Sequence, residues 1–254
     1  MIQNSAIVSP NSKLGKNVKI GPNVIIEDDV IIGDNTEIMA NVVIAEGTSI
    51  GNDCSIFYNA IIGTAPQDLK YNGEKTKTVI GNRTVIREFA TINRGTVATK
   101  QTVIGNDTLI MAYCHVAHDS VVGDNVVIAN VTQLAGHTVI GDWAILGGVV
   151  KVNQFCNIGK HSMIGADIKV TKDILPFSLV GKTPAQVEGI NKIGLKRRGF
   201  SKDTINEIKV FFDNLLFSGM NNQQALEKYS KLNNCQDVID CINFINNSEK
   251  GILR

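Results

Sequence analysis

The stretch VVGDNVVIANVTQLAGHTVIGDWAIL, residues 121–146, repeats one pattern every six positions. An aliphatic side chain returns at that interval, at Val122, Ile128, Leu134, Ile140 and Leu146. A smaller residue, such as Thr132, Thr138 or Ala144, follows most of them four positions later. A period of six fits neither the 3.6-residue turn of a helix nor the alternation of a long strand. The stretch therefore predicts a short strand and a turn, repeated many times.

The same pattern extends from Ile2 to Val170, and Ile, Val or Leu occupies 26 of the 29 positions in the series. Such strands are expected to stack in register about 4.8 Å apart, with their aliphatic side chains in one interior ladder. Glycine followed by Asn or Asp recurs after the aliphatic residue, as in Gly105-Asn106 and Gly123-Asp124. We expect these pairs to supply the positive φ angles of the corners.

The series fails at Asp68, Glu74 and Ala98. These failures predict two loops that leave the repeat, at about 64–78 and 94–101. Loops on a regular scaffold are where binding groups are commonly placed. We therefore expect functional side chains on or beside them.

The six-residue period ends after Pro176. Apolar residues with helical spacing follow Ser201, a predicted N-cap, and further amphipathic stretches lie around Leu226–Leu232 and Val238–Ile245. The chain is therefore predicted to be mainly β, with a repeat domain over residues 1–180. A linker and a small α-helical domain are predicted for residues 181–254.

Composition excludes several classes of protein. With 43% hydrophobic residues the 254-residue chain is too apolar to be disordered, and no run approaches the ~20 uncharged residues of a membrane span. The formal charge of +1 argues against a nucleic-acid binder. Residues 151–200 nevertheless hold nine basic and three acidic residues, a local charge of +6. Such a segment suits anionic partners.

Five cysteines, an odd number, and an N-terminus without signal-peptide character predict a cytoplasmic protein without disulfides. Cys54, Cys114 and Cys156 all fall on the small inward position of the repeat. Free cysteines there usually behave as small hydrophobic residues, so we expect inert core thiols.

Three of the four histidines, His115, His118 and His137, are close together in the repeat. His137 follows His118 by one coil plus one residue, so the two are expected on neighbouring coils. Asp119 could orient an imidazole, although neighbours on a regular strand point to opposite faces and only a corner would let them meet. Such a cluster suits acyl transfer by a general base, or a Zn²⁺ site.

The repeat resembles that of the hexapeptide acyltransferases, in which three hexapeptides form one coil of a left-handed parallel β-helix. Further segments, in order along the whole chain, resemble the UDP-N-acetylglucosamine O-acyltransferase family of lipid A biosynthesis. These segments are Gln67–Tyr71, Asn93–Thr96, Leu109–Asp119, Leu134–His137, Gly147-Gly148, Gln154-Phe155 and Gly194–Phe200.

The resemblance implies roles for individual residues. His118 would be the general base that removes the proton from the glucosamine 3-hydroxyl, Asp119 its partner, and Gly148 the donor of an oxyanion N–H. Substrate contacts are implied for a larger set, which lies in the first loop, on the histidine coils and in the basic segment: Asp68, Leu69, Lys70, His115, His137, Asn153, Gln154, Asn191, Arg197 and Arg198. Of these, the two arginines suit a diphosphate chemically.

Three positions depart from the family or vary within it. Asn153 stands where a histidine is usual, and Ile193 where a glutamate is common. The position that sets acyl-chain length in relatives is Ala166. The sequence leaves the length open, and equally whether the acceptor carries a 3-hydroxyl or a 3-amino group.

The resemblance also implies partners. These are an acyl carrier protein bearing an (R)-3-hydroxyacyl chain, UDP-N-acetylglucosamine and two further copies of the chain in a homotrimer, with no cofactor. Another hexapeptide transferase, with a coenzyme A donor or an amino-sugar acceptor, is the main alternative. A purely structural solenoid is a second alternative. A zinc enzyme is disfavoured because trimeric carbonic anhydrases on this scaffold resemble His-x4-His, whereas only Val116 and Ala117 separate His115 from His118.

Overall fold

The computed structural model describes residues 1–219, 221–229, 232 and 234–254. In these residues the repeat winds into coils whose strands form three parallel sheets. Each coil contributes one strand to each sheet in turn.

Sheet 1 has nine strands within the described residues: β1 Ile7–Val8, β4 Ile25–Ile26, β7 Val43–Ile44, β10 Ile61–Thr64, β13 Thr91–Asn93, β16 His115–Val116, β19 Gln133–Leu134, β22 Lys151–Val152 and β25 Lys169–Val170. Sheet 2 has eight there: β2 Lys13–Leu14, β5 Ile31–Ile32, β8 Thr48–Ile50, β11 Lys77–Ile80, β14 Gln101–Ile104, β17 Val121–Val122, β20 Val139–Ile140 and β23 Asn157–Ile158. Sheet 3 has ten in the same residues: β3 Lys19–Ile20, β6 Glu37–Ile38, β9 Ser55–Ile56, β12 Val85–Ile86, β15 Leu109–Ile110, β18 Val127–Ile128, β21 Ile145–Leu146, β24 Met163–Ile164, β26 Ser178–Gly181 and β27 Gln186–Ile190.

The strand register follows the sequence period. Paired residues are usually three hexapeptides apart, as in Val121 and Val139. The interval widens to five hexapeptides between Thr48 and Thr78, and to four between Thr78 and Thr102. The surplus residues leave the coils as a first loop, 65–76, and a second loop, 94–100.

The core is the aliphatic ladder. Ile44, Ile56 and Ile62 are at most 2% exposed, and each such burial contributes ~1.5–3 kcal/mol. Small inward residues complete the packing. Thr132, for example, donates its hydroxyl to the Gly147 carbonyl oxygen at 2.9 Å, so that it leaves no unpaired polar atom in the interior.

Buried cysteines take the same small inward position. Cys54, Cys114 and Cys156 are free and at most 1% exposed. Burial raises the pKa of the Cys114 thiol to about 11, which keeps it protonated and unreactive at neutral pH.

The three corners of a coil follow the three sheets and are called here the first, second and third corner. At the second corner, after sheet 2, the sequence interpretation needs correction. Positive φ falls on the residue after each Gly-Asx pair, such as Asp107 at 53°, and not on the pair itself. A Cβ on Gly105 would lie 2.4 Å from Asp124 Oδ1, which accepts the Asn106 N–H at 2.6 Å. Glycine is therefore needed because the side chain of the next coil lies against it.

The C-terminal part begins where β26 pairs in parallel with β24 and β27 returns antiparallel to β26. The helices that follow are α1 Lys192–Arg197, α2 Lys202–Phe212, α3 Asn222–Tyr229 and α4 Gln236–Asn246, with a π-helical turn at Asp213–Phe217 after α2. Ser201 caps α2 by accepting the Thr204 N–H at 3.0 Å. The prediction of a mainly β chain of stacked coils with a small helical end is confirmed.

Of the two later amphipathic stretches, Val238–Ile245 lies in α4. The stretch Leu226–Leu232 begins in α3, but its residues 230 and 231 lie outside the described residues. Among the helices the structure describes, none combines the length and apolar character that crossing a bilayer requires.

Candidate active site

His118 and Asp119 lie at the first corner, directly after β16. Asp119 has a φ of 59°, in the left-handed region, so the backbone turns between the two residues. Their side chains consequently meet, and His118 Nδ1 lies 2.8 Å from Asp119 Oδ2. The corner thus supplies the bend that neighbouring residues on a regular strand lack.

The Asp119 carboxylate is fully buried and well paired. It accepts the Thr96 N–H at 2.9 Å and the Thr96 hydroxyl at 2.7 Å, together with the N–H and hydroxyl of Thr99. Burial alone would raise the pKa of this carboxyl, but hydrogen bonds from Thr99, Thr96 and His118 outweigh it and hold the pKa well below its usual range. A carboxylate only accepts hydrogen bonds, so the shared proton belongs on His118 Nδ1 and leaves the Nε2 lone pair free.

The other two histidines lie beside this pair. The rings of His118 and His137 are 5.2 Å apart and perpendicular, and His137 Nε2 lies 3.6 Å from Asp119 Oδ2. His115 Nδ1 lies 2.7 Å from the Thr91 hydroxyl. Burial, and then the nearby His118, lowers the pKa of His115, which favours its neutral form. Phe155 stacks on His137 at 4.6 Å.

Gly136 lies directly against the His118 ring, and the sequence interpretation gave it no role. A Cβ at this position would be 2.6 Å from His118 Cε1 and 2.7 Å from Nε2. Its N–H makes no hydrogen bond among the described residues. The signal in the sequence is the spacing of three hexapeptides from His118, which places Gly136 one coil further along the same corner.

The first loop brings a second carboxylate to the site. Asp68 Oδ2 lies 3.9 Å from His118 Nε2. The neighbouring Leu69 is fully exposed and Lys70 is exposed, so neither is held against the coil. A groove of about 380 Å³ runs between loop and coil, lined among others by Gln67, His118, Gly136 and Gln154. Neighbouring Asn153 is exposed beside it.

A larger cavity of about 500 Å³ lies between β23 and α4. It touches none of the three clustered histidines and is lined by Asp173, Lys160 and Asp240. We place the candidate active site in the smaller groove because His118, which is paired with Asp119, lines it together with His115 and Gly136.

Two residues that were predicted to belong to the site lie away from the groove. Gly148 and Ala166 occupy the third corner, one coil apart, and the Gly148 carbonyl accepts the Asp167 N–H at 2.8 Å. The whole width of sheet 1 separates this corner from His118. Neither residue lines the groove within one chain.

The substrate contacts predicted in the basic segment, Asn191, Arg197 and Arg198, lie beyond the second corner. Arg198 Nη1 lies 3.2 Å from His161 Nδ1, and its guanidinium covers the Trp143 ring at 5.2 Å. Asn191 donates to the His161 carbonyl at 2.9 Å and caps α1 by accepting the Gly194 N–H. Sheet 2 lies between this cluster and the first corner.

Arg197 and Ile193 are on α1, where Ile193 occupies the position of the family's glutamate and is exposed. The chain therefore does not bring the basic cluster and His118 together by itself.

In the described part of the chain, His118, Asp119 and His137 are close enough to share a cation, with ligand atoms within 4.8 Å of one another. A cation there would have to displace the proton between His118 Nδ1 and Asp119. It would also compete with the threonine hydrogen bonds that already stabilise the carboxylate. The arrangement thus favours a histidine–carboxylate pair for proton transfer over a metal centre.

Comparison with known proteins agrees with this geometry. The family model for domain 2 of UDP N-acetylglucosamine O-acyltransferase matches residues 173–253. Models of the bacterial transferase hexapeptide (six repeats) and of a GMPPB C-terminal domain match residues 101–132 and 2–103.

Full-length relatives are similar throughout. An acyl-[acyl-carrier-protein]–UDP-N-acetylglucosamine O-acyltransferase of Trichlorobacter lovleyi is 50% identical, with 100% of this chain and 99% of the relative covered. The corresponding protein of Thermodesulfovibrio yellowstonii is 42% identical at the same coverage. The crystal structure of a UDP-N-acetylglucosamine acyltransferase from Bacteroides fragilis is 43% identical and covers 100% of both chains with a TM-score of 0.98. The chain therefore belongs to the family of UDP-N-acetylglucosamine O-acyltransferases.

Proposed function

We propose that this protein transfers an (R)-3-hydroxyacyl group from acyl carrier protein to the glucosamine 3-hydroxyl of UDP-N-acetylglucosamine, the first step of lipid A biosynthesis. The observation that carries the proposal is His118, which lines the groove and whose Nδ1 is 2.8 Å from buried Asp119. The names of the relatives supply the classes of donor and acceptor.

His118 acts as the general base. Its Nε2 takes the proton of the 3-hydroxyl as that oxygen attacks the thioester carbon. The C–S bond then breaks, and the departing thiolate recovers the proton from Nε2, so the imidazole ends neutral as it began. Asp119 fixes the ring orientation and stabilises the imidazolium between the two steps.

An N–H group must stabilise the oxyanion formed on the thioester carbonyl. We propose the Gly136 N–H, because Gly136 lies against the His118 ring and its N–H is unpaired among the described residues. The resemblance assigns this role to Gly148. That assignment requires the third corner of a neighbouring subunit to reach the groove.

A homotrimer would bring the separated groups together. Arg197 and Arg198 lie at the end of α1, beyond the second corner, and Ala166 lies at the third corner, so a site that uses them together with His118 needs more than one subunit. The third corner also carries exposed apolar side chains on left-handed backbone, namely Phe89, Tyr113, Val131 and Val149. Bulky residues rarely adopt this conformation in isolation. A surface of this kind suits burial against another copy of the chain.

The acyl carrier protein is expected to be acidic, and the C-terminal part offers a complementary surface. Lys192, Lys196, Lys202 and Lys209 surround a cleft of about 260 Å³ between α1 and α2. Lys209 is paired with Asp213, and the other three make no ion pair within the described residues. Unpaired charge of one sign attracts and orients a partner of the other sign.

The free thiols fit a cytoplasmic location.

The direct test is acyl transfer by His118→Ala. Loss of a general base predicts a kcat lower by ~10²–10⁴-fold, with UDP-N-acetylglucosamine binding and the melting temperature preserved. A rate within tenfold of wild type would remove His118 as the base. Mass spectrometry of the product from mixed donors and acceptors measures chain length and separates an ester from an amide. It thereby tests the coenzyme A and amino-sugar alternatives.

A further inference from the structure

Three threonines, each three positions after the last, converge on Asp119. Thr96 and Thr99 belong to the second loop, and Thr102 lies on β14 directly after it. The Asp119 carboxylate accepts from both loop threonines, and the Asp119 N–H donates to the Thr102 hydroxyl at 2.9 Å. The comparisons assign no role to these side chains.

The two oxygens of the carboxylate are held separately. Oδ2 accepts the Thr96 hydroxyl at 2.7 Å and faces His118 Nδ1 at 2.8 Å, whereas Oδ1 accepts the Thr96 and Thr99 N–H groups and the Thr99 hydroxyl. Rotation of the carboxylate about its bond to Cβ is therefore restricted from both sides. The oxygen that orients His118 cannot swing away without breaking several hydrogen bonds.

The Thr99 hydroxyl has one hydrogen and two acceptors within reach, the Asp119 carboxylate and the Gln101 carbonyl at 2.9 Å. A hydrogen bond to an ionised oxygen is the stronger of the two. The hydroxyl therefore donates to Asp119. The Thr96 hydroxyl donates to Asp119 in the same way while it accepts the Ala98 N–H at 3.2 Å.

We propose that Thr96 and Thr99 are positioning residues for the reaction, and that the second loop is retained because it holds the Asp119 carboxylate in line with His118. The inference rests on the proposed role of His118 as the base. It explains why one additional hexapeptide interrupts the coils one coil before the catalytic corner. A regular coil would leave the buried Asp119 carboxylate without the Thr96 and Thr99 donors.

Other ionisable groups lie near His118 and Asp119 and also influence the pH dependence of the reaction. Asp68 lies 3.9 Å from His118 Nε2, and His137 Nε2 lies 3.6 Å from Asp119 Oδ2. The electrostatic influence of His118 also reaches His115. All three stay in place when a threonine hydroxyl is replaced, so a change in the pH–rate profile would report on the hydroxyl.

The test compares Thr99→Val with Thr99→Ser in the full-length protein, with acyl carrier protein and UDP-N-acetylglucosamine as substrates. Valine keeps the shape and removes the hydroxyl, whereas serine keeps the hydroxyl. We expect kcat to fall about tenfold in Thr99→Val, the typical effect of one hydrogen bond to a charged group, with KM within twofold of wild type. With one donor fewer, the carboxylate becomes more basic and holds the imidazolium proton more strongly. The acidic limb of the pH–rate profile should accordingly move to higher pH. Thr99→Ser should restore both values.

Three results would overturn the inference. One is a kcat within twofold of wild type for Thr99→Val, the second is equal loss in the valine and serine variants, and the third is a loss with an unchanged pH profile. Thermal melting of each variant identifies misfolding, and Thr96→Val with Thr96→Ser repeats the comparison if Thr99→Val does not fold. Failure of the proposed function is distinguishable, because in that case the wild-type protein itself would not transfer the acyl group or would not depend on His118.

Discussion

Replacement of Gly136 by alanine tests whether the position of the His118 ring limits the reaction. The added methyl would lie 2.6 Å from Cε1, 2.7 Å from Nε2 and 3.1 Å from Nδ1 of that ring. Ordinary van der Waals contact begins near 3.4 Å, so the ring must retreat by about 0.8 Å. The His118 Nδ1 contact with Asp119 opposes this movement, because the carboxylate is held by the second loop.

The expected cost follows from that displacement. A misplacement of about 1 Å in a reacting group costs roughly 10²-fold in rate, or about 2.7 kcal/mol of transition-state stabilisation. The backbone change itself should cost little stability. Gly136 does not have a positive φ, so alanine meets no backbone strain, and it reduces the entropy of the unfolded chain. The Gly136 N–H remains available as an oxyanion donor.

Steady-state kinetics on a double-mutant cycle make the test specific. Gly136→Ala should lower kcat about 100-fold in the wild-type background and less than about twofold in the His118→Ala background, because the methyl acts only through the ring. Equal losses in the two backgrounds would refute the reasoning. So would a single variant with wild-type kcat and an unchanged melting temperature.

Two further predictions concern other parts of the chain. The double substitution Lys192→Glu with Lys196→Glu should raise KM for the acyl carrier protein donor more than tenfold and leave KM for an acyl-pantetheine donor unchanged. An unchanged KM for the carrier protein donor, or the same fold-increase for both donors, would count against this surface. Burial, followed by the charges of Arg198 and Lys160, lowers the pKa of His161 to about 4, whereas an unfolded histidine titrates near 6.5. Acidification from pH 6.5 to 4 should therefore favour the unfolded chain. In urea denaturation, His161→Phe should lose less free energy of unfolding than wild type between pH 7 and pH 5. Equal losses in the two proteins would disprove this prediction.

The sequence was sufficient for the coils because their period is set by local packing. Each aliphatic side chain needs only its equivalents one coil away, so the pattern at Ile128 and Leu146 already implies the ladder. The role of the glycines does not follow from the sequence pattern, for a related reason. The side chain of Asp124, on the next coil, lies against Gly105. A Gly-Asx pair that is considered as an isolated turn does not predict this contact.

The site was partly predictable. The spacing of His118 and His137 placed them on neighbouring coils, and the need for a corner at Asp119 could be stated in advance. The fit of Gly136 against the ring and the hydrogen bonds of Thr99 could not be predicted. They depend on where side chains point after the second loop leaves the coil, and no periodic rule describes that.

The stacking of whole coils has a consequence for substrate length. The Asx contacts at the second corner join each coil to the next, so the scaffold can be lengthened only by complete coils of about 4.8 Å each. One carbon–carbon bond spans ~1.5 Å, roughly a third of that step. The length of the scaffold therefore changes in steps that are larger than the difference between two acyl chains of neighbouring length. Discrimination between acyl chains that differ by one carbon must therefore come from individual side chains set on the coils.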